Sequence, residues 1–392
     1  MDDAPIPRQH TQRTFLWRYP GITKLILTIL CLLGLFPAAA FETEQPRFRQ
    51  AVSGYQFQFP DDHGSHDTFR TEWWYYTGHL TTEDKREFGY ELTFFRQALK
   101  HPDVNNNPSR WAIRQLYLAH AALSEHDGHR FRYGEKISRA GIGKAGSDTG
   151  RLHVWIDRWS AEVLSSDGHQ HHLRAAAGDF SFDLSLDPDK APVVHGKGGI
   201  SRKGDEPGQA SHYYSMTRLR TTGTLTINGH AETIHGISWM DHEFGSGRLG
   251  KNQVGWDWFS VQLDDKSELM FYLLRRTDGT ADPVSSGTWV FPDGTSLALS
   301  LSDMHIDVLD HWTSPMSGTR YPSRWRLTIP SRHLSLLLLP KMPNQELMTE
   351  RSTQVTYWEG AVKVTGHIGD QPVIGQGYVE LTGYAKPFEA HR

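Results

Sequence analysis

The chain has 392 residues, with 41 Lys and Arg against 45 Asp and Glu, which gives a formal charge of -4 when histidine is neutral. This balance excludes a polyanion binder driven by bulk charge, so we expect no nucleic-acid partner. The hydrophobic fraction of 38% and the charged fraction of 22% exclude disorder over most of the chain. The abundant aromatic residues, 13 Trp, 14 Tyr and 18 Phe, are the unusual feature of the composition.

The N-terminus has the pattern of a secretory signal. Basic residues up to Lys24 precede an apolar run from Leu25 to Phe36, and small residues follow up to Ala40. This pattern predicts a signal peptide over residues 1–40 and a periplasmic or secreted mature protein. The alternative is an uncleaved N-terminal membrane anchor, although the run is short for a bilayer span. In either case we expect membrane contact only through this segment or through a bound ligand.

The single cysteine, Cys31, lies within the apolar run of the predicted signal. Removal of the signal leaves a mature protein without cysteine. This prediction excludes disulfides, a cysteine nucleophile and cysteine metal sites.

Strand patterns follow the predicted signal. Apolar residues alternate with polar ones over 180–186 (FSFDLSL), and the same alternation recurs over 325–329 and 334–338. A period of two residues predicts half-buried strands, and turn residues separate the runs. We therefore predict an all-β fold of antiparallel strands.

The chain also resembles itself. Four segments match in the same order, which predicts two copies of one β unit over about 73–244 and 256–384. The matched pairs are 73–80 (WWYYTGHL) with 256–263 (WDWFSVQL), the FFR and LLR strings that follow them, 223–229 (GTLTING) with 360–366 (GAVKVTG), and 236–241 (GISWMD) with 375–380 (GQGYVE). A glycine-rich linker, 245–253, lies between the copies, so we predict domains at 41–245 and 246–392.

Several strings resemble one known family. The strings are HDTFRTEWWYYTGHL (66–80), FGYELTFFRQ (88–97), GISWMDHEFGSG (236–247), GWDWFSVQL (255–263), YPSRWRLTIP (321–330) and GQGYVELTGY (375–384). They resemble the AttH-like family of predicted secreted hydrolases, which is related to carotenoid 1,2-hydratases. The resemblance implies two consecutive lipocalin-like (calycin) barrels.

The resemblance implies two kinds of activity. Some relatives hydrate carbon-carbon double bonds in isoprenoids or phenolics, and others are extracytoplasmic partners of ABC export systems. The hydratases carry a tryptophan two residues after the histidine of the WMDHEFG string, whereas this chain has Phe244 there.

Asp241 and His242 are the candidate catalytic residues. Hydration of an alkene needs a strong proton donor, and a carboxylic acid kept neutral by an apolar pocket is suitable. We interpret Asp241 as the acid and His242 as the residue that orients it or deprotonates the attacking water. Strand alternation would place the two on opposite faces unless a bulge breaks the period. The alternative is a structural pair that makes turn hydrogen bonds; the matched position of Asp241 in the second copy is Glu380.

Aromatic residues beside these positions predict a ligand-lining wall. In both copies, alternate residues of the matched strand form an aromatic and polar face, and rings stabilise a nearby cation by roughly 0.5–2 kcal/mol each. The candidate substrate-binding residues are Trp73, Tyr75, His79, Trp256, Asp257 and Trp258. The alternative is that these rings only pack at the barrel ends and the domain interface.

No motif for a cofactor or a metal is found in the sequence. The histidines His169, His171 and His172 lie near a turn without a close carboxylate, which favours a solvated hairpin. We therefore predict no metal site and no cofactor. The ligand is predicted to be a lipophilic small molecule, bound either by an enzyme of the hydratase or hydrolase type or by a non-catalytic carrier associated with an ABC transporter.

Overall fold

Strands make up 59% of the residues that the structure describes. The computed structural model describes residues 47–103, 109, 112–165 and 167–388. The predicted signal peptide and Cys31 lie outside these residues. Within the described ranges, the regular structure other than strands consists of three short 3₁₀ turns, at Asp61–His63, Leu301–Asp303 and Pro330–Arg332.

The described strands form two antiparallel sheets. The first sheet contains β1 (Thr71–Thr82), β2 (Glu87–Ala98), β3 (Gln115–Glu125), β4 (Arg130–Arg139), β5 (Ala145–Ser147), β6 (His153–Ile156), β7 (Trp159–Val163), β8 (His171–Ala177), β9 (Phe180–Pro188), β10 (Val193–Val194), β11 (Ser201–Arg202), β12 (Ala210–Ile227) and β13 (His230–Gly245). The second sheet contains β14 (Gln253–Leu263), β15 (Glu268–Arg276), β16 (Ser286–Val290), β17 (Ser296–Ser300), β18 (His305–Thr313), β19 (Arg320–Ile329), β20 (Leu334–Pro340), β21 (Glu346–Thr349), β22 (Val355–Ile368) and β23 (Gln371–Thr382).

The two sheets share one strand order. In each sheet the first strand pairs with the last, β1 with β13 and β14 with β23, and the next three strands continue outward from the first. The two copies predicted from the sequence therefore correspond to two sheets whose strands are ordered alike. The first sheet curls into a nearly closed barrel and the second into a half-barrel. The all-β prediction is confirmed.

The chain passes from the first sheet to the second between Gly245 and Gln253, within the predicted linker. Contacts between residues nevertheless group both sheets into one compact unit. The division into domains at 245/246 stays a prediction. No helix in the described ranges has the length and apolar character needed to cross a membrane.

Alternation along the strands separates the three larger apolar cores of the described residues from one another. Trp74, Tyr76 and Leu80 of β1 point into the first barrel, and Phe259, Val261 and Leu263 of β14 point into the half-barrel. The other faces of the same strands meet between the two sheets, where a third core forms. We call this third surface the inter-sheet face; it comprises Trp73, Tyr75, Thr77 and His79 of β1, Glu91 of β2, Tyr213 of β12, Trp239, Asp241 and Glu243 of β13, Trp256 and Trp258 of β14, Tyr357, Glu359 and Ala361 of β22, and Tyr378 and Glu380 of β23.

Candidate functional site

Asp241 is buried on the inter-sheet face. Its side chain is 3% exposed, and three donors hold it. Trp239 Nε1 donates to Oδ1 at 2.7 Å, Tyr213 OH donates to Oδ2 at 2.8 Å, and Ser215 Oγ donates to Oδ1. The carboxyl group is therefore fixed in one orientation by its neighbours on β12 and β13.

Burial favours the uncharged form of this carboxyl group. Desolvation raises the pKa of Asp241 to about 7, and the nearby charge of Glu243 acts in the same direction, against the three hydrogen bonds. A carboxyl group with such a pKa can hold a proton at neutral pH and release it to a substrate. This is the environment that a general acid needs.

Aromatic side chains from the second sheet complete the surroundings of Asp241. Trp258 Nε1 donates to Tyr213 OH at 3.0 Å, so the second sheet reaches Asp241 through one intervening hydroxyl. The Trp258 ring lies edge-on to Tyr75 at 5.1 Å and to Trp239 at 6.2 Å between centroids. The structure thus brings Tyr75 and Trp258, predicted from different copies, to one place beside Asp241.

His242 lies on the other face of β13. Its ring stacks on Trp74 inside the first barrel, with centroids 4.9 Å apart, and its Nε2 is 2.8 Å from Glu72 Oε1. Its Nδ1 is 3.0 Å from Tyr214 OH. Strand alternation continues through Asp241 and His242 without a bulge, and the two side chains share no hydrogen bond among the described contacts. The structure therefore does not bring His242 to Asp241, and it gives His242 no position from which to orient that carboxyl.

Glu72 is the centre of a charged network inside the barrel. Burial alone would raise the pKa of Glu72, but Arg96 and His66 together with His242 hold it far below its ordinary value. Arg96 Nε donates to Glu72 Oε2 at 2.9 Å, and His66 Nδ1 is 2.7 Å from Oε1. Glu72 and Arg96 are at most 1% exposed. Each of the two charges is therefore paired where water does not reach it.

The same network contains metal-binding residue types. One donor atom each from His66, Glu72 and His242 lies within 4.8 Å of the others. Glu72 Oε1 is already at hydrogen-bond distance from both imidazoles, and Arg96 neutralises the other oxygen. These contacts satisfy the three residues as a hydrogen-bonded cluster.

The remaining predicted binding residues occupy different surroundings. His79 lies on the inter-sheet face, where its Nε2 is 2.9 Å from Gly377 O and burial lowers its pKa to about 4. Trp73 and Trp256 are partly buried at the edge of the same core. Asp257 lies on the opposite face of β14, where it accepts hydrogen bonds from Arg275 Nε at 2.8 Å and from Tyr384 OH at 2.9 Å. The structure therefore separates Asp257 from the other five residues.

Three carboxyl groups on the inter-sheet face were not predicted as site residues, although Glu380 was noted as the match of Asp241 in the second copy. Glu91 and Glu359 are each 1% exposed, and Glu380 is partly buried. Burial and repulsion from Glu380 raise the pKa of Glu91 to about 8, and burial with repulsion from Glu243 and Asp257 raises that of Glu380 to about 7. The sequence signal for Glu91 was a single charge within an apolar string, FGYELTFF. Their proximity depends on the packing of β2 against β22, which strand patterns do not report.

Comparison with known proteins identifies the family. The sequence pattern of the AttH-like family matches residues 50–384. A crystal structure assigned to AttH from Nitrosomonas europaea is 34% identical, covers 86% of this chain and 99% of its own, and superposes with a TM-score of 0.77. No curated protein matches the chain.

Two more distant structures share the fold. Kievitone hydratase from Nectria haematococca is 16% identical with a TM-score of 0.65, and covers 87% of this chain and 98% of its own. CghA in complex with Sch210972 is 14% identical with a TM-score of 0.52, and covers 87% and 97%. The chain belongs to the AttH-like family.

Proposed function

We propose that this protein binds an uncharged lipophilic ligand, an isoprenoid, lipid or phenolic, against the inter-sheet face and hydrates one of its carbon-carbon double bonds. The observation that carries this proposal is the setting of Asp241, a fully buried carboxyl with a pKa of about 7 among aromatic rings. Kievitone hydratase, named for a hydration activity, shares the fold. That likeness supports the proposal as an analogy only.

The proposed reaction is an acid-initiated addition of water. Asp241 gives its proton to one alkene carbon, which leaves a carbocation at the other carbon and a carboxylate on Asp241. The faces of Tyr75 and Trp258 stabilise the cation by roughly 0.5–2 kcal/mol each. Water adds to the cationic carbon, and its proton returns to Asp241, so that the enzyme is restored and the product has gained one water.

His242 has a positioning role in this proposal. It holds Glu72 and the aromatic lining of the first barrel in place, and it does not meet the substrate. We expect its substitution to affect stability more than turnover.

Asp241→Asn tests the proposal. The amide cannot supply the proton, so we expect hydration to fall by a factor of about 10²–10⁴ while ligand binding and the melting temperature change little. Turnover is followed as the gain of one water by mass spectrometry, with a panel of isoprenoid and isoflavonoid alkenes. Asp370→Asn, an exposed change in the β22–β23 turn, is the matched control. Unchanged turnover in Asp241→Asn would contradict the role of Asp241.

A second candidate function is that of a carrier without turnover. Two observations favour it: protein donors engage both oxygens of Asp241, and Phe244, in the place of the hydratase tryptophan, is stacked on His66 with centroids 3.5 Å apart. In this case the ligand is handed to or from an ABC exporter. A stoichiometric intact lipid in native mass spectrometry, together with no turnover of the alkene panel, would favour the carrier.

Export through the N-terminal segment is part of both proposals. We expect the mature protein, purified from its native host, to begin at Phe41 when its N-terminus is sequenced. We also expect cell fractionation to find it outside the cytoplasm. A mature protein that still carries residues 1–40 would instead support the anchored form.

A further inference from the structure

Two carboxyl groups from different sheets meet on the inter-sheet face. Glu91 lies on β2 and Glu359 on β22, and each is 1% exposed. Thr93 Oγ1 donates to Glu91 Oε1 at 2.7 Å, and Tyr357 OH lies 3.3 Å from the same oxygen. Tyr75 OH donates to Glu359 Oε1. Each carboxyl group is thus anchored by hydroxyl groups through one oxygen only.

The other oxygen of each carboxyl group has no partner. Glu91 Oε2, Glu359 Oε2 and Thr77 Oγ1 are buried without a hydrogen bond to any described residue. Thr77 is directly opposite Glu91 in the β1–β2 register, and opposed residues project from the same face with Cβ atoms about 4.5–5.5 Å apart. A buried polar group without a partner costs about 1–3 kcal/mol, so three such atoms on the inter-sheet face favour a polar group supplied by a ligand.

The charge of the pair indicates which group fits. Burial raises the pKa of both carboxyls, and the repulsion between them and from Glu380 acts in the same direction. In its protonated form the pair presents O–H donors and carbonyl acceptors without a net charge. The Thr77 hydroxyl adds one donor and acceptor, and the rings of Tyr75 and Tyr357 supply apolar walls.

We propose that Glu91, Glu359 and Thr77 form a binding site for the hydroxyl group of an uncharged lipophilic alcohol or phenol seated between the two sheets. The site lies beside the proposed acid, because Tyr75 both donates to Glu359 and is the register partner of Asp241. The inference rests on the proposed function in placing the ligand on this face. It adds the polar group by which the ligand is recognised.

Three probes with one carbon skeleton test this site: geraniol with a hydroxyl group, the hydrocarbon myrcene, and geranylamine with a cationic group. Binding to the full chain is titrated by tryptophan fluorescence, because Trp239 and Trp258 lie on the same face. We expect geraniol to bind about tenfold more tightly than myrcene, the gain from roughly one good hydrogen bond. Equal affinities for these two probes would overturn the proposal.

Thr77→Val removes the unpartnered hydroxyl while keeping the shape of the side chain. We expect the preference for geraniol to fall to about threefold or less, and the melting temperature to stay unchanged or rise, because an unsatisfied polar atom is lost. Thr222→Val, the same change at an exposed position of β12, should alter neither. A preference that survives in Thr77→Val would contradict the site.

Substitutions of Glu359 distinguish a neutral binding site from an anionic one. Glu359→Gln keeps an uncharged donor and acceptor, so it should retain the preference for geraniol, whereas Glu359→Leu should abolish it. Tighter binding of geranylamine than of geraniol would show an anionic pair and overturn the proposal. If none of the three probes binds, the ligand site itself fails together with this inference; if all bind equally, only this inference fails.

Discussion

Glu91→Gln should remove part of the pH dependence of stability. Glu91 is enclosed between the sheets, and burial raises its pKa from an ordinary 4.5 to about 8, helped by repulsion from Glu380. Between these two values the folded protein binds more protons than the unfolded chain. Stability therefore falls as the pH rises through this range.

The magnitude follows from the two pKa values of Glu91. At about 1.4 kcal/mol per pKa unit, ionisation of Glu91 in the unfolded chain lowers the free energy of unfolding by about 1 kcal/mol at pH 5 and about 4 kcal/mol at pH 8. Glutamine does not titrate. Relative to the natural protein, Glu91→Gln should gain about 3 kcal/mol of unfolding free energy between pH 5 and pH 8, and any constant cost of accommodating the amide cancels in this difference.

Urea unfolding at the two pH values, followed by tryptophan fluorescence, measures the effect. Glu83→Gln in the exposed β1–β2 turn is the matched control and should follow the natural protein at both pH values. The same change in stability between pH 5 and pH 8 for Glu91→Gln and for the natural protein would refute the reasoning, because Glu91 would then be ionised alike in both states.

Two further substitutions test the packing that holds the site. Glu72→Gln should lower the free energy of unfolding at pH 7 by about 3–5 kcal/mol, because it leaves the buried Arg96 without its carboxylate; a loss below about 1 kcal/mol in urea unfolding would contradict the ion pair. Gly89→Val should cost about 1–3 kcal/mol, since a Cβ at Gly89 would lie 2.8 Å from Ala361 Cβ on the opposite sheet. Ala361→Gly in the same chain should restore part of that loss, and no recovery would show that Gly89 is constrained by other contacts.

Strand patterns predicted the two faces of β1 and β14 correctly. The period of two residues separated Trp73 and Tyr75 from Trp74 and Tyr76, and the structure places the first pair between the sheets and the second inside the barrel. The matching order of segments likewise predicted a repeat, which appears as one strand order in both sheets. These predictions succeeded because alternation and turn residues are local properties of a strand.

The contacts between side chains that are distant in the sequence were harder to predict from the sequence. Asp241 and His242 are adjacent in sequence, yet alternation sends one toward the second sheet and the other toward Glu72. Asp257 matched Trp74 in the repeat but is held by Arg275 in the half-barrel. Residues that are near in the chain, or equivalent in the repeat, need not share a site.

The sequence by itself determined the all-β class, the repeat, the family and the aromatic, polar character of one face in each copy. Only the tertiary structure decided that these two faces meet each other, because the contact of β2 with β22 joins residues more than two hundred positions apart, such as Glu91 and Tyr357. On the face that this contact covers, Asp241, Glu91 and Glu359 are buried and Glu380 is partly buried. Their pKa values are raised because burial and mutual repulsion arise only once the sheets have packed.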